Sequence, residues 1–399
     1  MKYKITYGKS VHDIKEINAV IEVLKSSTAM GKNVIKFEKK IAKQFAKKYC
    51  VMVNSGTSAL MLLAELLDLK RGDEFITPVV TFPSTIVPLV KKGLVPKFID
   101  VELKNLQIDI SKIEKSITKK TKALVIPNLI GNLPRWDKIK KLADKKKLLL
   151  IEDSADTVGS KIFKKKSGIY SDFSITSFYG SHIINCAGNG GALMLNSKKL
   201  YLRAKVLRSW GRLSSIIDEK DFKRRFNYKL NGIDYDTKFV FSEMGFNIEP
   251  SEMGAAFGLQ QLLKLKKNIS SRQKNFKQHI NFFRNFDNLF ILPEIDKNIF
   301  TAMLAFPLIL KNNLKFTRTE LQIFLEKNKI QTRPIFSGDI LYHPGFKSFK
   351  FKRAEKKFTV ANKITKDGLL IGLHHGLKTL DIKYIHKIFR KFISQKYEN

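Results

Sequence analysis

Three short runs carry side chains able to act together on a small anionic ligand. In Asn54-Ser55-Gly56-Thr57-Ser58-Ala59-Leu60, a glycine lies between hydroxyl residues where an apolar strand gives way to a helix. A tight turn at Gly56 would leave the amides and hydroxyls of Thr57 and Ser58 facing an anion, which is how a helix N-terminus cradles phosphate. The same residues also suit an ordinary helix cap. In Ile151-Glu152-Asp153-Ser154-Ala155-Asp156, carboxylates follow an apolar strand. Ligands of open α/β sheets bind beyond the carboxyl ends of strands, so Asp153 is placed to meet a cofactor and could hold a protonated pyridine nitrogen. A helix-capping or metal-binding aspartate would read the same way. The third run, Thr176-Ser177-Phe178-Tyr179-Gly180-Ser181-His182, precedes Gly188-Asn189-Gly190-Gly191-Ala192 and ends on an imidazole. Imidazole takes and returns a proton near neutral pH, although a purely structural histidine also fits here.

Positioning these runs calls for a scaffold that gathers strand ends. Phe37, Ile41 and Phe45, spaced i, i+4, i+8, predict a helix with Asn33 as its cap. Apolar runs follow at Phe75-Ile76-Thr77, Phe98-Ile99-Asp100-Val101, Ala123-Leu124-Val125-Ile126 and Leu148-Leu149-Leu150-Ile151, separated by helix-length segments. That alternation predicts an α/β fold with a mainly parallel sheet covered on both faces. A long polar helical stretch through Leu262, Leu265 and Ile269 begins after Glu252, and beyond it strands and helices are isolated. Thr317 and Glu320 form a capping-box pattern before Leu321, Phe324 and Leu325, and Ile330-Gln331-Thr332-Arg333 reads as a strand. The expected division is a large cofactor-binding domain over residues 1–252 and a smaller α+β domain over 253–399.

A chain of 399 residues, 43% of them hydrophobic, can bury a sizeable core. Cys50 and Cys186 are too few for a disulfide framework or a four-thiolate metal site, and suit a reducing cytoplasm. No run approaches the roughly 20 apolar residues of a membrane span, and the amino terminus lacks the apolar core of a signal peptide. The net charge of +38 would favour polyanions. Its lysines are dispersed, however, as in Lys145-Lys146-Lys147 and Lys164-Lys165-Lys166, so no nucleic-acid partner is expected. A phosphate-bearing substrate needs only a few of these charges.

Together with Thr81-Phe82-Pro83 and Met244-Gly245-Phe246-Asn247, the three runs resemble the DegT family of nucleotide-sugar aminotransferases in order and spacing over roughly residues 10 to 390. The resemblance implies fold type I, the aspartate-aminotransferase-like fold, and a pyridoxal 5'-phosphate cofactor. It puts the cofactor phosphate on Gly56, Thr57 and Ser177 beside Ser58, the ring against Phe82, the ring nitrogen on Asp153 and the ring hydroxyl near Asp156. It also implies a homodimer in which Asn247 serves the neighbouring subunit's site.

Four residues after Phe178, aminotransferases of this family have the lysine that anchors the cofactor covalently. Here the residue is His182, and no lysine occurs between Lys166 and Lys198. This exchange marks the branch of 3-dehydratases acting on nucleotide-linked 4-keto-6-deoxyhexoses. Leu129-Ile130-Gly131-Asn132 and Arg208-Ser209-Trp210-Gly211-Arg212 are similar to that branch as well. Some of its members carry an iron–sulfur cluster on cysteines that follow the Trp-Gly-Arg motif. In this chain the segment reads Gly211-Arg212-Leu213-Ser214-Ser215, and two cysteines cannot build the cluster, so the resemblance is to the cluster-free members. Asn189 stands where the family usually has glutamate, and Glu249 where a basic residue is common.

The implied reaction uses the pyridoxamine 5'-phosphate form, whose amine condenses with the sugar's C4 ketone. His182 then moves a proton at the cofactor's C4' carbon, the C3 hydroxyl leaves, and the product is released as an enamine that loses ammonia. An amino donor such as glutamate converts the pyridoxal form left behind back to the amine. Two alternatives stay open: a 4-keto-sugar aminotransferase with non-covalently held cofactor, and a catalytically silent nucleotide-sugar-binding homologue. Arg333, His343, His374 and His375 lie in carboxy-terminal loops that the resemblance puts near the site, without assigned roles.

Overall fold

The apolar runs align in an eight-stranded sheet of order Tyr49–Val53, Gly191–Leu195, Phe173–Ser177, Leu149–Asp153, Thr121–Pro127, Glu74–Pro78, Val95–Ile99 and Lys352–Arg353. They are seen in a computed structural model that describes residues 3–217 and 221–397. Only Gly191–Leu195 runs against its neighbours. Successive residues of the central strands enter different cores: Phe75, Val125 and Ile151 pack on one side, and Ile76, Leu124 and Leu150 on the other. A strand sends alternate side chains to opposite faces, so burial on both requires the unbroken apolar runs seen in the sequence.

The helix carrying Phe37 and Ile41 spans Lys32–Gln44, and its cap differs from expectation. Gly31 is the N-cap residue, and no local side chain caps the helix. The carboxylate of Glu252 instead accepts from the amides of Gly31, Asn33 and Val34 at 2.8, 2.6 and 3.2 Å. An anion brought across the fold satisfies several first-turn amides at once, which a single asparagine side chain cannot do.

Glu252 also begins the 32-residue helix Glu252–Phe283, capped by Ser251. Beyond it lies a four-stranded antiparallel sheet of order Phe290–Ile291, Phe306–Leu310, Gly368–Ile371 and Thr332–Pro334. The capping box at Thr317 and Glu320 opens the helix Arg318–Lys327. The strand expected over Ile330–Arg333 is displaced along the chain to Thr332–Pro334, because Ile330 bridges Ile5 instead. The carboxy-terminal part also returns to the main sheet, where Lys352–Arg353 pairs in parallel with Val95–Ile99.

Candidate active site

The strands ending at Val53, Pro78, Pro127, Asp153 and Ser177 open onto one edge of the main sheet, where a cavity of about 630 Å³ lies. The helix Gly56–Leu66 begins there, with Ser55 as its N-cap accepting from the Ser58 amide at 3.0 Å. The Gly56 and Thr57 amides find no acceptor among the described residues, so the helix start offers two N–H groups to an anion. Glycine is required at Gly56, since a Cβ there would lie 2.9 Å from Ser177 Cβ. At Gly191 a Cβ would meet the Ser55 carbonyl carbon at 2.2 Å. Small residues thus keep the cradle open.

The other end of the cavity is acidic. Asp153 Oδ2 accepts from Thr85 Oγ1 at 2.7 Å, and Oδ1 accepts from the Ala155 amide at 3.1 Å. Burial pushes its carboxyl up to about 6, helped by the neighbouring Glu152 and opposed by these two hydrogen bonds. Asp156 is pushed up to about 7, first by burial and then by the charge of Asp153, while Arg272 pulls it down. Glu152, one residue along the strand, points the opposite way. It accepts from Asn128 Nδ2 at 2.9 Å and from Ser154 Oγ at 2.6 Å. The carboxylate pair therefore splits between structure and cavity.

His182 sits on the loop after Phe173–Ser177 and lines the cavity. Its Nδ1 lies 2.6 Å from the Ala155 carbonyl oxygen and 3.5 Å from Asp156 Oδ1. A carbonyl can only accept, so Nδ1 carries the proton and Nε2 keeps its lone pair. Nε2 makes no hydrogen bond among the described residues. Burial lowers the imidazole to about 4, and Arg272 adds to this while the Ala155 carbonyl opposes it. The ring is therefore neutral at physiological pH and its open nitrogen is a base.

Gly56, Thr57, Phe82, Asp153, Asp156, Ser177 and His182 all border this one cavity, as do Asn189, Arg333 and His343. Ser58 does not: its hydroxyl turns back to Asn54 Oδ1 at 2.6 Å. Asn247 is exposed and lies outside its own chain's cavity, bridged through its backbone to Ser209. His374 and His375 stand behind the wall, where Arg272 Nε donates to His375 Nδ1 at 3.3 Å.

Thr85 and Arg272 are additions that no local pattern announced. Thr85 lies two residues past Thr81-Phe82-Pro83, where helical geometry turns it toward Asp153. Arg272 comes from the middle of the long helix, is fully buried, and donates to the carbonyls of Leu304 at 2.8 Å and Ser181 at 3.1 Å. Among the residues lining the cavity, Arg333 is the only lysine or arginine despite the chain's net charge of +38.

An aromatic phosphate with a protonated ring nitrogen fits what is present. One end offers free amides in a cradle that a Cβ would fill, and the other a buried carboxylate held only by Thr85 and a backbone amide. Phe82, 56% exposed and edge-on to Phe336 at 6.2 Å between ring centres, supplies an aromatic face between them. No group of three or more His, Cys, Asp or Glu side chains that could hold a metal occurs among the described residues.

Comparison with known proteins gives the same picture. Residues 11–390 match the DegT/DnrJ/EryC1/StrS aminotransferase family. The chain is 32% identical to the lipopolysaccharide biosynthesis protein RfbH of Salmonella typhimurium, over 95% of this chain and 89% of that one. It is 33% identical to GDP-4-keto-6-deoxy-D-mannose 3-dehydratase of Yersinia pseudotuberculosis, over 96% of this chain and 98% of the relative. A crystal structure of a GDP-4-keto-6-deoxymannose-3-dehydratase with a trapped PLP-glutamate geminal diamine superposes with a TM-score of 0.86 at 28% identity, covering 96% of this chain and all of the other.

Proposed function

The chain belongs to the DegT/DnrJ/EryC1/StrS aminotransferase family, and from that premise we propose that it is a pyridoxal/pyridoxamine 5'-phosphate-dependent 3-dehydratase of a nucleotide-linked 4-keto-6-deoxyhexose. The observation that carries this reading is the open Nε2 of His182 in a cavity that, among the described residues, no lysine lines. The relatives named as 3-dehydratases support it. Deoxysugar supply to a surface polysaccharide is the matching physiological setting, in line with the RfbH relative.

Gly56, Thr57 and Ser177 hold the cofactor's phosphate, Phe82 covers a ring face, Asp153 takes the ring nitrogen and Asp156 approaches the ring hydroxyl. Bound as its amine, the cofactor supplies a nitrogen for the sugar's C4 ketone and a ring that accepts electrons. His182 Nε2 takes up a proton and returns one while the C3 hydroxyl departs. Among the described residues no amine side chain borders the cavity, so none of them competes with the cofactor's own amine for the ketone. Glutamate is the proposed amino donor, supported by the glutamate adduct in the related structure.

The test is incubation with a panel of nucleotide-linked 4-keto-6-deoxyhexoses and glutamate, the GDP-linked sugar first, followed by mass analysis. The expected product has lost its C3 oxygen. A product that keeps C3 oxygen and gains a 4-amino group would make the protein an aminotransferase, and no turnover with tight sugar binding would make it a silent homologue.

The active unit is proposed to be a homodimer with Asn247 reaching the neighbour's cavity. Its exposure is one support, and the exposed Phe239, Phe241 and Met244 before it are another. Mixing an Asn247→Ala protein with a His182→Asn protein should restore part of the activity, because one hybrid site is intact. No recovery despite proven subunit exchange would refute the arrangement.

A further inference from the structure

His182 presents a problem as a base. Its ring is largely withdrawn from water, the Arg272 guanidinium disfavours a second positive charge nearby, and a weakly basic imidazole takes protons poorly. Something must stabilise the imidazolium that forms when Nε2 accepts a proton. The Ala155 carbonyl orients the ring but carries no net charge.

We propose that Asp156, besides its place near the cofactor, is a positioning residue for His182, whose carboxylate stands beside Nδ1 and supplies the negative charge that lets Nε2 accept a proton. Asp156 Oδ1 lies 3.5 Å from Nδ1, and both side chains are nearly buried, at 8% and 13% exposure. Nδ1–H therefore has two acceptors close by: a short, neutral one at 2.6 Å and a carboxylate whose weight grows when the ring becomes cationic. This assignment rests on the reading of His182 as the proton-transfer base.

The surrounding charges give the arrangement a switch. Asp153 faces Asp156 from the same strand end, Arg272 from the long helix, and Tyr7 from the amino-terminal segment. Tyr179 sets its ring edge-on to His182, and His374 and His375 lie near Arg272, which donates to His375. Burial is the main reason that Asp156 tends to hold a proton, and of these neighbours Asp153 is the anion that adds to it. A cation held by Asp153 removes that repulsion and shifts Asp156 toward its charged form. Filling the ring-nitrogen position thus makes His182 a stronger base, and the base is weak while the cavity is empty.

NMR of histidine-labelled protein tests this without relying on turnover. The His182 signal is identified by its absence in His182→Asn, and its titration midpoint is followed with and without pyridoxamine 5'-phosphate. In the loaded state the wild-type midpoint should exceed that of Asp156→Asn by about one pH unit. In turnover, Asp156→Asn should lower kcat at least about tenfold with KM for the sugar unchanged, and its acid limb should move to lower pH, since a base with no adjacent anion loses its proton more readily. Equal loaded midpoints in the two proteins would overturn the assignment. If Asp156→Asn does not fold, the wild type decides alone: its midpoint should rise on loading, and an unchanged or lower midpoint overturns the proposal. An unchanged midpoint beside an inactive His182→Asn protein removes only the role of Asp156. A His182→Asn protein that still dehydrates removes the base reading itself.

Discussion

Two histidines in this molecule, His182 largely and His279 fully buried, share a lowered basicity and differ in everything that matters for chemistry. His182 is lowered to about 4 and His279 to about 3, each mainly by burial. His279 spends both nitrogens on the fold. Its Nε2 donates to the Gly372 carbonyl at 3.3 Å, so its Nδ1 accepts from His386 Nε2 at 3.1 Å. Aromatic rings close around the pair: His386 stacks on Phe282 with ring centres 4.0 Å apart, and Phe306 lies 4.9 Å from His279. His182 commits only Nδ1, borders a cavity and has a carboxylate at 3.5 Å. Burial alone therefore does not mark a base. An uncommitted nitrogen, access to a ligand and a nearby countercharge do.

The strongest way to break this contrast is to replace each histidine by asparagine. His182→Asn should keep the fold and cofactor binding while turnover falls ~100- to 10,000-fold, the usual contribution of a positioned base. His279→Asn should lose about 2 to 4 kcal/mol in urea unfolding, through unpaired buried groups and lost packing, with kcat per folded molecule unchanged. A stable His279→Asn protein with a comparable loss of turnover would erase the distinction.

Acid sharpens the comparison further. For His182 the folded pKa lies below the ordinary histidine value of 6.5, so its stabilising contribution is complete above that pH and is lost as pH falls toward 4. A depression of this size corresponds to about 3 kcal/mol. Asp153 and Asp156 act in the opposite sense: raised to about 6 and 7, they favour the folded state below pH 4 and lose that contribution as pH rises through those values. Urea unfolding at stepped pH should therefore show His182→Asn gaining stability relative to wild type as pH falls from 6 to 4, and Asp153→Asn gaining it as pH rises from 4 to 6. Parallel pH profiles for wild type and both variants would contradict the assigned shifts.

The smallest expected effect is at Thr85. Thr85→Val removes the hydroxyl that donates to Asp153, so the carboxyl should rise further and hold a ring nitrogen less well. A loss of roughly 1 kcal/mol, or five- to tenfold in cofactor affinity by titration, is expected, with kcat at saturation little changed. Unaltered affinity would mean that Thr85 serves only the local fold.

Much of this was legible along the chain. The parallel sheet followed from unbroken apolar runs, because a strand buried on both faces has no polar register. The capping box at Thr317 and Glu320 was readable because its partners lie within one helical turn. The cradle at Gly56 and the carboxylate at Asp153 stand at strand ends and the imidazole at His182 on the loop beyond one, where local sequence alone fixes the chemistry on offer. Two local expectations gave way to other partners, one distant and one near. Asn33 was expected to cap a helix that Glu252, 219 residues away from it, caps instead. Ser58 spends its hydroxyl on Asn54 once the turn has closed.

The order of residues by itself determined which groups could reach the sheet edge, that the anchor position holds an imidazole with no lysine near it in sequence, and that two cysteines cannot hold a four-thiolate cluster. Tertiary structure alone decided what those groups became. It brought Arg272 from the long helix to the Ser181 carbonyl and placed Asp156 at 3.5 Å from His182. It also buried Asp153 and Asp156 together in one acidic wall. Charge, hydrogen bonding and exclusion of water act over a few ångströms of space, whatever the separation along the chain. The identity of a base is therefore written in the sequence, and its strength is set only when the chain has folded around it.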